Sequence, residues 1–231
     1  MRSWNVFHGN ADPPRRHGYL REMVELATQD DPDVLCLQEL PVWALPRLGA
    51  WTGMQVESAV ARPPLWPGHV SAWVTRLNQG FFRSAIAGQA NAVLVRRVHA
   101  IEDLGKETIS ERGRERRVVQ AVRIDGRIVV ANLHATNDFR DPDVPRTEVE
   151  RARRFAERHA RPEEPVVLAG DFNVPLIEVD GYSPAAEGVD HVLVRDTPTT
   201  ALRVWPTERR RVNGVVLSDH APVEIWLAEL P

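Results

Sequence analysis

The sequence predicts a layered α+β sandwich in which many short strands are covered by a few helices, all within one domain. Three observations lead there. Strand-length apolar stretches recur from end to end, two longer stretches place apolar residues at helical spacing, and no repeat, low-complexity segment or linker divides the 231 residues. A chain of this length can bury roughly seven-tenths of its surface. Its 43% apolar and 26% charged composition is that of an ordinary globular protein.

Residues 3–7 read as the first strand. Residues 17–29 form a helix with Leu20, Met23, Val24 and Ala27 on one face, ended by Asp31-Pro32 because proline lacks the amide donor. Residues 34–37 are a wholly apolar strand, as expected when both faces are covered. Residues 70–77, 92–95, 117–124 and 127–133 read as further strands, with Asp125-Gly126 as the hairpin turn between the last two. A second helix fits residues 145–160, with Pro145 at its start and Val149, Ala152, Phe155 and Ala156 inward. Its arginines alternate with Glu148, Glu150 and Glu157, the pattern of a solvated face. Residues 166–168, 189–194, 202–205 and 223–227 complete the strands, and the Pro-, Gly- and Ser-rich stretches 49–70 and 174–188 read as long rim loops.

The formal charge of −3 disfavours a sequence-independent DNA clamp, because phosphate neutralisation dominates such binding. Lys106 is the one lysine beside 28 arginines, a bias that a GC-rich genome produces without function. One cysteine, Cys36, excludes an internal disulfide and a Cys-based zinc cluster. Neither a secretory signal nor a membrane span is visible, so a cytoplasmic location is the expectation, with a secreted mature form left open. No obligate protein partner is evident.

Polar clusters stand at the ends of apolar strands: Trp4-Asn5-Val6, Leu37-Gln38-Glu39, Gly170-Asp171-Phe172-Asn173 and Ser218-Asp219-His220. A lone Asp-x-Asn is a common strand-end turn. Four such clusters in one chain point instead to a site, since burying a carboxylate is costly unless a cation or acid–base chemistry uses it. Oxygen ligands from carboxylates and amides select magnesium, manganese or calcium.

These motifs, with Asn132-Leu133-His134 and Asp190-His191-Val192-Leu193-Val194 between them, run in one order along nearly the whole chain. On them the sequence resembles the endonuclease/exonuclease/phosphatase superfamily, the DNase I-like fold. The resemblance implies a four-layered sandwich of two central, mostly antiparallel sheets flanked by helices. It also implies phosphoester hydrolysis dependent on Mg²⁺, with Mn²⁺ or Ca²⁺ as substitutes. Glu39 is implied as the metal ligand, with Asn5 beside it and Asp219 in support. Asp171 would orient and deprotonate the attacking water, Asn173 would position it or bind metal, and His220 would stabilise the phosphate with Asp190 on its other ring nitrogen. His134 matches the second histidine of the DNase I-like branch. Arg114 and Asn137 are implied as phosphate contacts, although Arg112, Arg116 and Arg117 flank the first.

The expected substrate is a nucleic acid or a small phosphorylated molecule, cleaved as a phosphodiester. The alternatives are a phosphomonoesterase, a lipid phosphodiesterase acting on sphingomyelin-like or inositol lipids, and a silent binding module. Other polar residues read as structural. His8 and Asn10 read as solvated loop positions, and His191 as facing away from Asp190. His17, His69, His99 and His159 fit no motif. Arg209-Arg210-Arg211 reads as a solvated run, with steering of a phosphorylated substrate as the alternative. Of Trp43, Trp51 and Trp66, at least two read as core.

Overall fold

The computed structural model describes residues 1–228 apart from 67, 78–81, 139, 184, 185 and 187. In chain order the elements are β1 (Arg2–Asn5), β2 (Ala11–Asp12), α1 (Leu20–Ala27), β3 (Val34–Leu40), α2 (Leu45–Thr52), β4 (Gln55–Arg62), α3 (Gly68–Leu77), α4 (Phe82–Ala87), β5 (Gln89–Val95), β6 (Ile101–Thr108), β7 (Val118–Ile124) and β8 (Ile128–His134). They continue with α5 (Asp143–His159), β9 (Val166–Asp171), β10 (Asp190–Arg195), β11 (Thr199–Val204), β12 (Arg211–Val212), β13 (Val215–Leu217) and β14 (Val223–Leu227).

One sheet runs β11-β14-β1-β3-β5-β4 and the other β10-β9-β8-β7-β6, with a small β12-β13-β2 sheet beside them. Among the described residues only β1 with β3 and β8 with β9 are parallel. Period-two side-chain alternation decides what each face does. On β3, Leu35 and Leu37 pack with Met23 of α1 and Leu48 of α2, while Cys36 faces Val122, Val130 and Val167 of the opposite sheet. On β8, Ala131 and Leu133 meet Val149, Ala152 and Phe155 of α5. Helix, sheet, sheet and helix are therefore the four layers that the motifs imply. Burial at the centre pushes the Cys36 thiol up to about 12, so it packs as a small apolar group.

Several expectations need correction. Residues 70–77 belong to α3, not to a strand; Val70, Val74 and Leu77 also recur at helical spacing, and a short apolar run does not discriminate. The stretch 49–70 holds the end of α2, strand β4 and the start of α3. β6 was unforeseen too. Both β4 and β6 close an edge of a sheet and keep many residues half-exposed or exposed, so they carry polar side chains and lack an apolar signature. The 174–188 stretch is free of helix where described, with Pro184, Ala185 and Glu187 outside the described residues. The hairpin connection spans three residues, since Ile124 pairs with Ile128; Asp125 and Gly126 do take the expected left-handed conformations. Among the described residues no helix is long and apolar enough to cross a membrane.

A polar bolt joins the sheets. The β3–β5 register shifts between Leu37 and Leu40, a bulge centred on Gln38-Glu39. From the other sheet, Asn132 Nδ2 donates to Leu37 O (3.0 Å) and Ala92 O (2.9 Å), while its Oδ1 accepts from Gln38 Nε2 at 2.8 Å. The carbonyls beside the bulge are thus satisfied across the core.

Candidate active site

Strand register gathers the motif residues into one row. Asn5 pairs with Gln38, next to Glu39; His134 pairs with Asp171, and Asp171 with Asp190. His220 arrives from the turn before β14. Left-handed backbone then aims the side chains: φ is 45° at Phe7, 51° at His8, 54° at Glu39, 52° at Asn173 and 60° at Ser218. Non-glycine residues pay an energetic cost there, so such clustering marks a functional rim. Gly170 permits the row to close. A Cβ there would lie 1.9 Å from Leu133 O, so no other residue lets β9 approach β8 so closely.

Asn5 links buried Asp171 to half-buried Glu39. Its Nδ2 donates to Asp171 Oδ2 at 2.9 Å and also to Glu39, while its Oδ1 accepts from Phe7 N at 2.9 Å. The amide oxygen thus takes one backbone donor, and Asn5 spaces the two carboxylates. Burial raises Glu39 above the usual carboxylate range, opposed by the Arg117 and His220 charges and the Asn5 bond. Burial, followed by the charge of Asp190, pushes Asp171 well above that range as well.

His220 Nδ1 lies 2.7 Å from Asp190 Oδ2, which fixes its Nε2 toward Asp171 Oδ2 at 3.8 Å and Asp219 Oδ1 at 3.9 Å. Burial alone would strip its proton. The hydrogen bond and charge of Asp190, with Asp171 and Asp219 behind it, override burial and raise the imidazole to about 10. It is a cation with Nε2–H available as a donor. Arg210 holds this segment by donating from Nη1 to Ser218 O (2.6 Å), Leu217 O (3.2 Å) and His220 O (3.2 Å), and Trp4 Nε1 donates to His220 O at 3.0 Å.

His134 is the opposite case. Burial, then the Arg117 and His220 charges, holds its pKa well below 6.5, so the ring is neutral. Gln89 Oε1 accepts from His134 Nδ1 and Arg117 Nη1, both at 3.0 Å, and its amide nitrogen donates to Glu115 at 3.3 Å. Arg117 Nη1 is 3.0 and 3.2 Å from the two ring nitrogens, a position over the ring face. His134 Nε2 lies 3.7 Å from Glu39 Oε1 and 3.5 Å from Asp171 Oδ2. His8 Nε2 lies 3.7 Å from the other Glu39 oxygen. Oxygen and imidazole groups gathered at one rim suit a divalent cation, with the partly open Glu39 as the residue that would hold it. Asp171, Asp190 and His220 also offer ligand atoms within 4.8 Å of one another, but the 2.7 Å contact there reads as a hydrogen-bonded dyad.

The sequence profile of the endonuclease/exonuclease/phosphatase family matches residues 3–220. The chain belongs to that family. Endonuclease/exonuclease/phosphatase proteins hydrolyse phosphoesters, and this chain is such a hydrolase. Among solved structures, a functionally unknown conserved protein from Enterococcus faecalis V583 is similar at TM-score 0.68 and 15% identity, covering 99% of each chain. A mannosyl-6-phosphatase from Bacteroides thetaiotaomicron VPI-5482 matches at TM-score 0.67 and 15% identity over 99% of this chain and 100% of its own. TDP2 from Caenorhabditis elegans matches at 0.66 and 15%, over 98% of this chain and 73% of its own. These likenesses carry the fold. No curated sequence is significantly similar.

Of the residues expected in the endonuclease/exonuclease/phosphatase site, Asn5, Glu39, His134, Asp171, Asn173, Asp190, Asp219 and His220 stand together. Asn173 Nδ2 donates to Ala135 O at 2.9 Å and its backbone N to Asp171 Oδ1 at 3.0 Å, which leaves its Oδ1 for the site. Arg114 does not reach this cluster. It pairs on the surface with Asp138 at 2.9 Å, and Asn137 beside that aspartate is exposed. Arg117, one of the flanking alternatives, is the buried arginine at the site. Counting ladder pairs back from the Asp125-Gly126 turn brings residue 117 within one position of His134, a signal already in the sequence. His8 and Asn10 are buried, not solvated. Two arginines of the run at 209–211 are engaged within the fold: Arg209 stacks on Trp205 at 3.7 Å and pairs with Glu224, and Arg210 is internal, while Arg211 is exposed. His191 faces away as expected, with Nε2 2.7 Å from Val174 O. Trp43 and Trp51 are half-buried, and Trp66 is exposed.

Proposed function

We propose that the chain hydrolyses phosphoesters, phosphodiesters first, by attack of a water held beside a divalent cation. The observation that carries the reading is the gathering of Glu39, Asp171 and His134 at one rim opposite a cationic His220. Glu39, with Asp219 at the rim, would hold Mg²⁺, with Mn²⁺ or Ca²⁺ as substitutes. When bound, such an ion lowers the pKa of a neighbouring water and offsets charge on the phosphoryl oxygens.

The chain's own groups do the rest. Asp171, raised by burial and kept in place by Asn5, accepts the water's proton at Oδ2 or Oδ1; a base whose pKa is lifted toward neutrality is suited to that transfer. Asn173 offers its Oδ1 to orient the water. His220 donates Nε2–H to a non-bridging oxygen as its charge grows, and Asp190 keeps the tautomer. Arg117 supplies a second fixed positive charge behind His134. Two cations around one site would also suit the dianion of a phosphomonoester, which makes that class the second reading.

The test is a substrate panel with Mg²⁺, Mn²⁺ or EDTA: plasmid, single-stranded and abasic DNA, RNA, sphingomyelin, inositol phosphates and small mono- and diesters. The reading expects metal-dependent turnover of at least one class, lost by about 10³-fold or more in Asp171→Ala and His220→Ala. Turnover that survives EDTA or either folded variant, or none on any substrate, overturns it.

A further inference from the structure

A cavity of about 310 Å³ lies beside the phosphoester site, between the start of α1, the helix α2 with the turn before it, and α3. We propose that it seats a ring carried by a small phosphoester substrate; the inference rests on the hydrolase reading and names the substrate's second anchor. His8, Leu20, Trp43, Arg47, Trp51 and Ala72 line it.

Position is the first argument. His8 is a wall of the cavity, and its Nε2 lies 3.7 Å from Glu39 Oε2. One imidazole therefore separates the cavity from the carboxylate at the reacting centre, and a substituent of the phosphoester can reach across it. The wall is also rigid. Residues 7–9 are all left-handed, and a Cβ at Gly9 would lie 2.7 Å from Leu20 Cβ, so this turn is pressed against α1 and fixes the His8 ring.

Chemistry is the second. Trp43 and Trp51 meet edge to face, with centroids 6.4 Å apart and planes at 74°, and both indoles are half-buried. Arg47 lies 5.5 Å over the Trp43 ring and adds a cation to the lining. Indole faces joined by a guanidinium bind flat or puckered rings by stacking, a contact worth roughly ten- to hundred-fold in affinity. The volume stands at the lower end of ligand pockets, about 300–1,000 Å³, so it fits one ring system and not a duplex.

The experiment uses calorimetric titration in EDTA, so that binding is read without turnover. Thymidine 5′-monophosphate and glucose 6-phosphate are compared with ringless glycerol 3-phosphate, on wild type, Trp51→Ala and the cavity-filling Ala72→Trp. Trp226→Ala, on β14 away from the cavity, serves as a control. At least one ring compound is expected to bind ten-fold or more tighter than glycerol phosphate. That gain should vanish in both cavity variants and persist in the control. Which compound gains identifies nucleoside or sugar as the source. If neither ring compound outbinds glycerol phosphate, or if the gain survives in either folded cavity variant, the inference fails. A chain that turns over phosphoesters without the gain sinks this inference alone; a chain with the gain but no turnover sinks the hydrolase reading instead.

Discussion

Replacing Asn132 with leucine tests how the fold aims Glu39. The side chain is fully buried and makes three hydrogen bonds, to Leu37 O, Ala92 O and Gln38 Nε2. Leucine keeps the size but removes every polar partner. Each lost bond is worth about 1 kcal/mol, and a stranded buried carbonyl costs about 1–3 kcal/mol. With each group counted once, the two carbonyls in the lower half of that range and the Gln38 bond at about 1 kcal/mol predict a loss of about 3–5 kcal/mol, a large fraction of the roughly 5–15 kcal/mol of a typical domain. At this chain length 1 kcal/mol moves Tm by about 2–4 °C, so the midpoint should fall by about 6–20 °C. Urea unfolding followed by tryptophan fluorescence gives the free energy directly. Glu39 lies two residues past Leu37 on the bulge, so the metal concentration for half-maximal activity should rise in the same variant. A stability loss under about 1 kcal/mol with an unchanged urea slope would refute the bolt.

Gly170→Ala places a methyl 1.9 Å from Leu133 O and must push β8 and β9 apart; a loss above about 3 kcal/mol or insoluble expression is expected, checked by urea melts and soluble yield. Arg210→Leu frees three carbonyls of the segment bearing Asp219 and His220, so kcat should fall by about 10–100-fold, read on the best substrate of the panel. His99 is raised in the fold by its hydrogen bond to Asp125, against burial, with Asp33 adding to the rise. A raised folded pKa gives stability that is full below about 6.5 and lost as pH climbs through the folded value. His99→Asn should therefore flatten the stability difference between about pH 6 and pH 8; an unchanged slope would contradict it.

Most of the site was legible because its residues follow apolar strands in a fixed order, and strand register does the assembling. The covered strands β3, β5, β7 and β8 showed as apolar runs for the same reason that they are covered. The edges did not. β4 and β6 face water along much of their length, so their polar residues hid them. α3 was mistaken for a strand because eight residues of mixed polarity satisfy both periods. Within the site, what stayed hidden depends on backbone conformation. His8 enters only because three successive left-handed residues turn its ring toward Glu39. Asn5 looked like a metal ligand by its type. Its bond partners are not legible from type: Oδ1 accepts from the Phe7 amide, and Nδ2 donates to Asp171.

The central claim is that Glu39 holds the divalent cation on which hydrolysis depends. Glu39→Gln keeps the size and removes the charge, so activity measured against Mn²⁺ and Mg²⁺ concentration tests it most directly. The account predicts that the half-activating concentration rises at least about 100-fold in a variant that still folds, a loss of the size expected when a principal metal contact goes. An activation curve superimposable on that of the wild type would contradict it.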